Sequence, residues 1–128
     1  MKTILILDDE EVVRKVAKAT LENHGYRVLL ASNGKEAVET FSEAKTAIGL
    51  ILLDLTMPVL SGEDTLRELR KIRPTLPVIL SSGFNEIEAI RRFQGKGLRG
   101  FVQKPYTAAT LAQRVKAALT QGLSGQCQ

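Results

Sequence analysis

The sequence predicts a three-layer α/β domain, in which a doubly wound sheet of five parallel strands lies between helices. Five short apolar runs are separated by segments whose apolar residues recur with a helical period. This strict alternation is typical of parallel strands joined by right-handed crossovers. Several runs are almost continuously apolar, as in strands that are buried on both faces. With 128 residues, 44% of them hydrophobic, the chain suits one domain with one core.

Five strands and five helices are predicted to alternate along the chain. The strands span residues 3–7, 27–31, 49–53, 78–80 and 100–102. The first helix ends at Gly25, where a left-handed cap fits. The later helices begin at Asn33, Ser61, Asn85 and Thr107. Asn33 followed by Glu36 has the pattern of a helix start, Pro74 stops the third helix, and the last helix ends before Gly122.

Each predicted helix has one apolar stripe that is expected to face the sheet. The inward residues are Val13, Val16, Ala17 and Leu21; Ala37, Val38 and Phe41; Leu66, Leu69 and Ile72; Ile87, Ile90 and Phe93; and Leu111, Val115, Ala118 and Leu119. We therefore expect one domain over residues 1–122, followed by a polar, frayed tail over residues 123–128.

The net charge of +4 raises the question of nucleic-acid binding, because clustered cations neutralise phosphates. Two groupings stand out along the chain: Arg67, Arg70, Lys71 and Arg73, and then Arg91, Arg92, Lys96 and Arg99. The first grouping is interleaved with Glu63, Asp64 and Glu68 on one predicted helix, which indicates a solvated face. Because no nucleic-acid motif accompanies the charge, we expect no direct binding to DNA or RNA.

The single cysteine and the lack of a long apolar segment favour a cytoplasmic setting. Cys127 has no second cysteine to pair with, so neither an internal disulfide nor a cysteine-based zinc site can form. No stretch approaches the roughly 18 apolar residues that span a bilayer, and the opening segment reaches carboxylates too early for a signal peptide. We expect no membrane contact by this chain, which suits a cytoplasmic protein.

Polar side chains follow four of the predicted strands. Asp8 and Asp9 come after the first strand, Asp54 after the third, Ser82 after the fourth and Lys104 after the fifth. Ligands of open α/β sheets collect at this carboxyl edge. Three neighbouring carboxylates repel one another and favour a hard divalent cation such as Mg²⁺. The set therefore predicts phosphoryl transfer to Asp54, with Lys104, Ser82 and Mg²⁺ contacting the transferred oxygens.

Each of these residues also has an ordinary structural explanation. The Asp8–Asp9 doublet suits a helix cap, Asp54 suits a turn, and Ser82 or Lys104 alone carries almost no signal. Their joint position at the ends of four strands favours the functional interpretation. His24, in contrast, falls at the far end of the first helix, where a histidine is common for electrostatic reasons, and we do not interpret it as a phosphohistidine.

Four segments together resemble the receiver domain of response regulators over nearly the whole chain: ILILDDEE, LLDLTMPVLSGED, PVILSSGF and GFVQKPYTAATL. The resemblance implies a flavodoxin-like sheet in the order 2-1-3-4-5. It implies that Asp54 is the phosphoacceptor and that Lys104 is the family's lysine, joined to Pro105 by a cis bond. It further implies that Mg²⁺ (or Mn²⁺) is bound by Asp9, by Asp54 and by the carbonyl of Thr56, with Asp8 acting through water.

The resemblance also implies a switch. Ser82 falls at the family's switch hydroxyl and Phe101 at its switch aromatic position, although plain core packing explains Phe101 equally well. On phosphorylation, Ser82 would move toward the phosphoryl group and Phe101 would turn inward. The face formed by the fourth predicted helix, the fifth strand and the fifth predicted helix would then change, and an output protein could bind there.

Two further positions, Thr56 and Phe84, correspond to those that tune the lifetime of the phosphorylated state. The apolar ring of Phe84 cannot position an attacking water as a polar side chain could. We therefore predict slow self-dephosphorylation, to be measured as the loss of labelled phosphate with Mg²⁺ at neutral pH. A half-life of seconds would contradict this prediction.

The implied phosphodonor is a histidine kinase or a histidine phosphotransfer protein. The GFVQKPY segment is similar to receivers at the carboxyl end of hybrid sensor kinases. That origin, in which the chain would be the cytoplasmic end of a membrane-bound sensor kinase, and a free-standing regulator both stay open. No output domain follows the last helix in the sequence given, so we expect readout by protein contact or by return of phosphate to a relay. We do not expect the chain to act as a conventional enzyme by itself, although it would assist its own phosphorylation and dephosphorylation and could belong to a hybrid histidine kinase.

Other classes of protein remain alternatives. A phosphatase of the haloacid dehalogenase type also forms an aspartyl phosphate with Mg²⁺, but it typically carries a second aspartate where Thr56 stands. A receiver that only shuttles or sinks phosphate is a further possibility. A pseudo-receiver would be expected to lack Asp9, Asp54 or Lys104, and all three are present.

Overall fold

The computed structural model describes residues 3–44, 47–54, 62–82, 98–104 and 106–124. The strands are β1 (Thr3–Leu7), β2 (Arg27–Ala31), β3 (Ile48–Asp54), β4 (Val78–Ser82) and β5 (Leu98–Gln103). The helices are α1 (Glu11–Asn23), α2 (Gly34–Ala44), α3 (Gly62–Ile72) and α4 (Ala108–Ser124). The predicted helix over residues 85–93 lies outside the described residues, so α4 is the fifth helix of the prediction. No helix in the described part of the chain is long and apolar enough to cross a membrane.

All five strands are parallel, in the order β2-β1-β3-β4-β5. This confirms the predicted doubly wound, flavodoxin-like sheet. The chain reverses its direction of winding after β2, so β1 and β3 lie side by side although a strand and two helices separate them in sequence. Their carboxyl ends form the crevice in which such sheets bind ligands.

The sheet is covered on both faces, which explains its apolar strands. Every residue of β1 is buried. On one face, Leu5, Leu7 and Leu53 pack with Phe41 of α2 and with Leu69 of α3. On the other face, the alternate strand residues Ile4, Ile6 and Leu52 pack with Leu21 of α1 and with Val115 of α4. The alternation of side chains across a strand divides the core into two layers.

Several predicted helix boundaries are confirmed by local geometry. The backbone amide of Glu36 donates to Asn33 Oδ1 over 2.9 Å, and the Glu36 carboxylate accepts from the amide of Ser32 over 2.7 Å. The amide of Thr110 donates to Thr107 Oγ1 over 3.1 Å, which caps α4. Gly25 follows α1 with φ +91°, a conformation that glycine adopts without the Cβ penalty of other residues.

Three expectations about the helices were wrong. Val16 was expected to face the core, but it is 50% exposed and forms an exposed strip with Val12, one turn earlier. The packed stripe of α1 runs through Ala17 and Leu21, so it is narrower than the apolar stripe in the sequence. The last helix continues through Gly122 to Ser124, since a helix-interior glycine costs only about 1 kcal/mol.

The third error concerns the basic residues of α3 and Arg73, which directly follows that helix. Only some of these side chains form a solvated face. Arg67 and Lys71 make exposed ion pairs with Asp64 and Glu68, as expected. Two other arginines bind backbone carbonyls instead: Arg70 donates to Pro74 and Leu76, and Arg73 donates to Ile48. Carbonyl groups in the turn after α3 and at the start of β3 need donors, and these guanidinium groups provide them.

Candidate functional site

Three of the predicted site residues meet at the carboxyl edge of the sheet. Lys104 follows β5, and its Nζ lies 2.8 Å from Asp8 Oδ2 and 3.3 Å from Asp54 Oδ2. Asp8 directly follows β1. Asp54 was expected directly after the third strand. It is instead the last residue of β3, because it pairs with Ser81 of β4. Since β1 and β3 are neighbours, the two carboxylates share one ammonium group.

Asp8 is held in place by both of its carboxylate oxygens. The backbone amide of Glu10 donates to Asp8 Oδ1 over 2.9 Å, and Lys104 binds Oδ2. Arg14 donates to the carbonyl of Asp8 over 2.7 Å. The N-cap of α1 is Glu10, whose side chain makes no capping bond, so the Asp8–Asp9 doublet is not simply a helix cap. The turn formed by Asp8, Asp9 and Glu10, which we call the acidic turn, instead contributes to the site.

The site combines buried and exposed charges. Asp54 is 0% exposed and Asp8 2%, whereas Asp9 and Glu10 are exposed. Burial raises the pKa of Asp8 above its ordinary value of 3.8, although hydrogen bonds from Lys104 and from the Glu10 amide lower it. Burial and hydrogen-bonding contact with Asp54, together with the Asp54 charge, raise the pKa of Asp9. These carboxylates are therefore crowded.

Lys104 balances part of this negative charge. Burial alone would lower the pKa of Lys104, but the hydrogen bond to Asp8 and the charges of Asp54 and Asp8 outweigh it and raise the pKa. Its ammonium group also lies 3.2 Å from Glu10 Oε1. One cation thus faces three carboxylates, with Asp9 beside them, and the cluster retains an excess of negative charge.

The acidic residues fit a divalent cation. Asp8, Asp9 and Glu10 each offer one carboxylate oxygen, and these atoms all lie within 4.8 Å of one another. Oxygen ligands of this kind suit Mg²⁺. The pKa of Asp9 is raised by desolvation and then by its contact with Asp54 and the Asp54 charge, and a nearby cation lowers the pKa of a carboxyl group. Glu10 was not among the predicted ligands, although it extends the DDE run in the sequence.

We predict that Mg²⁺ stabilises the fold more at neutral pH than near pH 4. The pKa values of Asp8 and Asp9 are raised in the folded state above their ordinary value of 3.8. The two groups therefore stabilise the fold below pH 3.8, and this contribution is lost as the pH rises through their pKa values in the folded protein. Mg²⁺ at ten times its Kd should restore about 1.4 kcal/mol at pH 7. The measurement is urea unfolding with Mg²⁺ and with EDTA at both pH values; an equal effect at both would contradict the prediction.

The remaining predicted residues are placed less fully. Ser82 ends β4 and pairs with Gln103, and its side chain is not among those described. Phe101 is 4% exposed and packs in the same core layer as Leu80, so its predicted inward turn would start from a ring that is already buried. Thr56, Phe84 and Pro105, with the predicted cis bond, lie outside the described residues.

His24 lies at the opposite end of α1 from the acidic turn. It is the residue that follows the helix, and its Nδ1 is 2.8 Å from the carbonyl oxygen of Thr20. A helix of 13 residues is about 20 Å long, so His24 is remote from Asp54. The position agrees with an ordinary helix-end histidine.

Tyr106 is a site residue that sequence reasoning missed. Its ring lines an apolar groove of about 390 Å³ together with Val12, Val16, Glu10 and Lys104. Burial and the charge of Asp8 raise the pKa of the Tyr106 hydroxyl to about 12. The hydroxyl therefore stays protonated near the carboxylates. No local sequence pattern indicates this, because the effect depends on the contact between α1 and the segment after β5.

Fold and site together define a flavodoxin-like domain with an acidic, lysine-containing site at the carboxyl edge of its sheet. The family model of the response regulator receiver domain matches residues 4–116. The chain therefore belongs to the response regulator receiver family, and it is a receiver domain of two-component signalling. Receiver domains generally bind Mg²⁺ at an acidic pocket, and such a cluster is present here. They interact with histidine kinases or phosphotransfer proteins and with output domains.

Similar proteins include receivers in different settings. The chain is 35% identical over 117 residues to the sensor kinase CckA of Brucella abortus. The matched region covers 91% of this chain and 12% of the kinase. It is 34% identical over 117 residues to the chemotaxis protein CheY of Thermotoga maritima, covering 88% of this chain and 92% of CheY. The chain spans about half the length of several transcriptional regulators that it also matches.

A solved structure shows the same fold. The CheX–CheY–BeF₃–Mg²⁺ complex of Borrelia burgdorferi has a TM-score of 0.85 and 26% sequence identity, and it covers 91% of this chain and 87% of that chain. The strand order and the placement of the helices are therefore those of known receivers.

Proposed function

We propose that Asp54 accepts a phosphoryl group from a phosphohistidine of a histidine kinase or a histidine phosphotransfer protein. The observation that carries this proposal is the position of the Lys104 ammonium group, between Asp8 and the fully buried Asp54. A carboxylate beside a fixed cation can act as a nucleophile while the charge on the transferred oxygens is neutralised.

The reaction exchanges one bond to phosphorus for another. The carboxylate oxygen of Asp54 forms a bond to phosphorus as the bond between phosphorus and the donor's imidazole nitrogen breaks, and the imidazole leaves with the electron pair. The Lys104 ammonium group would shift its contact from the Asp54 carboxylate to the oxygens of the transferred phosphoryl group. This movement is short, because Nζ already lies 3.3 Å from Asp54 Oδ2. The ammonium group needs no proton transfer, since its raised pKa keeps it charged at neutral pH.

The proposed ligands of Mg²⁺ (or Mn²⁺) are Asp9, Asp54 and the carbonyl of Thr56, with Asp8 acting through water. The geometry of Asp8 supports the indirect role, because both of its oxygens already accept hydrogen bonds from Glu10 and Lys104. Asp9 is exposed, and its pKa is raised by partial desolvation and by Asp54, so it is suited to direct binding. The cation would neutralise negative charge on the phosphoryl oxygens.

We further propose that the phosphorylated state acts through Ser82 and Phe101, with Thr56 and Phe84 setting its lifetime. Phe101 lies on β5, two residues before the end of that strand, so a shift of its ring would alter the surface along this edge strand. An output protein would bind the face that includes β5 and α4. Similarity to both a sensor kinase and a CheY supports either a kinase-borne or a free-standing arrangement.

The proposal is tested by incubating the protein with acetyl phosphate and Mg²⁺ and mapping the adduct by peptide mass spectrometry. We expect a hydroxylamine-labile phosphoryl group on Asp54. No adduct, or an adduct on another residue, would contradict the proposal. Rapid turnover of varied phosphomonoesters in the same assay would favour the phosphatase alternative, which the family assignment does not support.

A further inference from the structure

Ser81 of β4 carries a buried hydroxyl group that has no role in the phosphoryl transfer proposed above. Its side chain is 1% exposed, and its Oγ has no hydrogen-bond partner within the part of the chain that the structure describes. Buried polar atoms are usually hydrogen-bonded, and an unsatisfied one destabilises a fold. An alanine would fill nearly the same volume without this cost. The presence of a serine here therefore indicates that the hydroxyl is used in a state of the protein other than the unphosphorylated one.

The register of the sheet places Ser81 beside the proposed phosphoacceptor. Asp54 of β3 pairs with Ser81 of β4, and paired residues of neighbouring strands lie about 5 Å apart. Two residues earlier, the pair Leu52 and Ile79 lies on the core face covered by α1 and α4. Because side chains alternate along a strand, Ser81 and Asp54 are directed to that same face.

Phosphorylation changes what the buried carboxyl group of Asp54 contacts. In the resting state the Lys104 ammonium lies 3.3 Å from Asp54 Oδ2. When the added phosphoryl oxygens attract Lys104, the Asp54 oxygens lose part of that positive neighbour. Since Asp54 is fully buried, water cannot easily replace it. A serine hydroxyl can reorient by rotation about one bond and donate.

We propose that Ser81 is a positioning residue, whose hydroxyl donates a hydrogen bond to the Asp54 carboxyl group in the phosphorylated state. The inference rests on the proposed function of Asp54. It assigns to Ser81 a role distinct from that of Ser82, which is proposed to contact the phosphoryl oxygens. The resting fold retains an unsatisfied hydroxyl so that the phosphorylated state can be stabilised.

The test compares the affinity for beryllofluoride, a phosphoryl mimic, at saturating Mg²⁺ by ¹⁹F NMR. We expect Ser81→Ala to bind roughly three- to tenfold more weakly than the wild type, as for one lost hydrogen bond, and Ser81→Thr to restore binding by returning the hydroxyl. The control Ser42→Ala removes a hydroxyl from the exposed side of α2, where it donates to Val38, and should leave the affinity unchanged.

The stability of the same variants separates this role from a structural one. Without Mg²⁺ and beryllofluoride, Ser81→Ala should unfold at the same or a higher temperature than the wild type, because it removes an unsatisfied polar group. Wild-type affinity in Ser81→Ala, failure of Ser81→Thr to restore it, or a less stable Ser81→Ala would each overturn the inference. If Asp54→Asn binds beryllofluoride like the wild type, the proposed function itself fails, whatever Ser81 does.

Discussion

Replacing Lys104 with methionine is expected to destabilise the fold by about 3–5 kcal/mol at pH 7 in EDTA, the range for breaking a buried ion pair. Lys104 binds Asp8, which is 2% exposed, and Asp54, which is 0% exposed. Methionine has a similar volume but no charge, so both carboxylates would be left buried without their cation. The change is measured as the free energy of unfolding in urea.

The matched control is Lys71→Met on α3. Lys71 also forms a lysine–carboxylate pair, over 3.0 Å to Glu68, but both side chains are well exposed. Such surface pairs contribute at most about 1 kcal/mol. The effect of Lys104→Met should also shrink when the pH is lowered toward 4, since the pKa of Asp8 is raised by burial and its protonation leaves less charge unpaired. Equal effects of the two substitutions would show that burial of Asp8 and Asp54 does not govern the site.

Asp54→Asn is expected to lower the rate of adduct formation from acetyl phosphate by roughly 10³-fold or more, because an amide cannot replace the attacking carboxylate. The same substitution should stabilise the protein in EDTA, by about 1 kcal/mol. Its charge contributes to the raised pKa of both Asp8 and Asp9, so its removal relieves repulsion. Loss of reactivity with a gain in stability is the signature of a strained functional group.

The control for Asp54→Asn is Asp64→Asn on α3. Asp64 is paired with Arg67 over 2.9 Å on the exposed face of the helix. Its replacement should alter neither adduct formation nor the stabilisation by Mg²⁺. Adduct formation that persists in Asp54→Asn, or a marked loss of stability in EDTA, would contradict the assignment of Asp54.

The layered fold was predictable because its determinants are local and repeated. Continuous apolar runs indicated strands buried on both faces, and β1 is indeed buried throughout. Helix starts at Asn33 and Thr107 followed from capping chemistry within a few residues. The errors arose where burial depends on neighbours. Val16 is apolar but lies beside the packed stripe of α1. Arg70 donates to the carbonyl of Leu76 in the turn after α3, and Arg73 donates to the carbonyl of Ile48 at the start of β3.

The sequence predicted that Asp8, Asp54 and Lys104 would meet, but it did not predict their contacts. Position after a strand was enough to bring together Asp8, Asp54 and Lys104, since parallel strands end at one edge. Glu10 and Tyr106 were missed, because their roles depend on distances to Lys104 and Asp8 that no spacing in the sequence encodes.

The amino-acid sequence by itself determined the alternation of strands and helices, the membership in the receiver family and the acidic residues at one edge of the sheet. Only the tertiary structure decided how their charges are shared. In the described part of the chain, three features follow from side-chain packing. Asp8 and Asp54 are buried whereas Asp9 is exposed, the Lys104 ammonium group is shared by three carboxylates, and the Ser81 hydroxyl has no hydrogen-bond partner. Electrostatic energies depend on distance and solvent access, and these quantities exist only once the strands have come together.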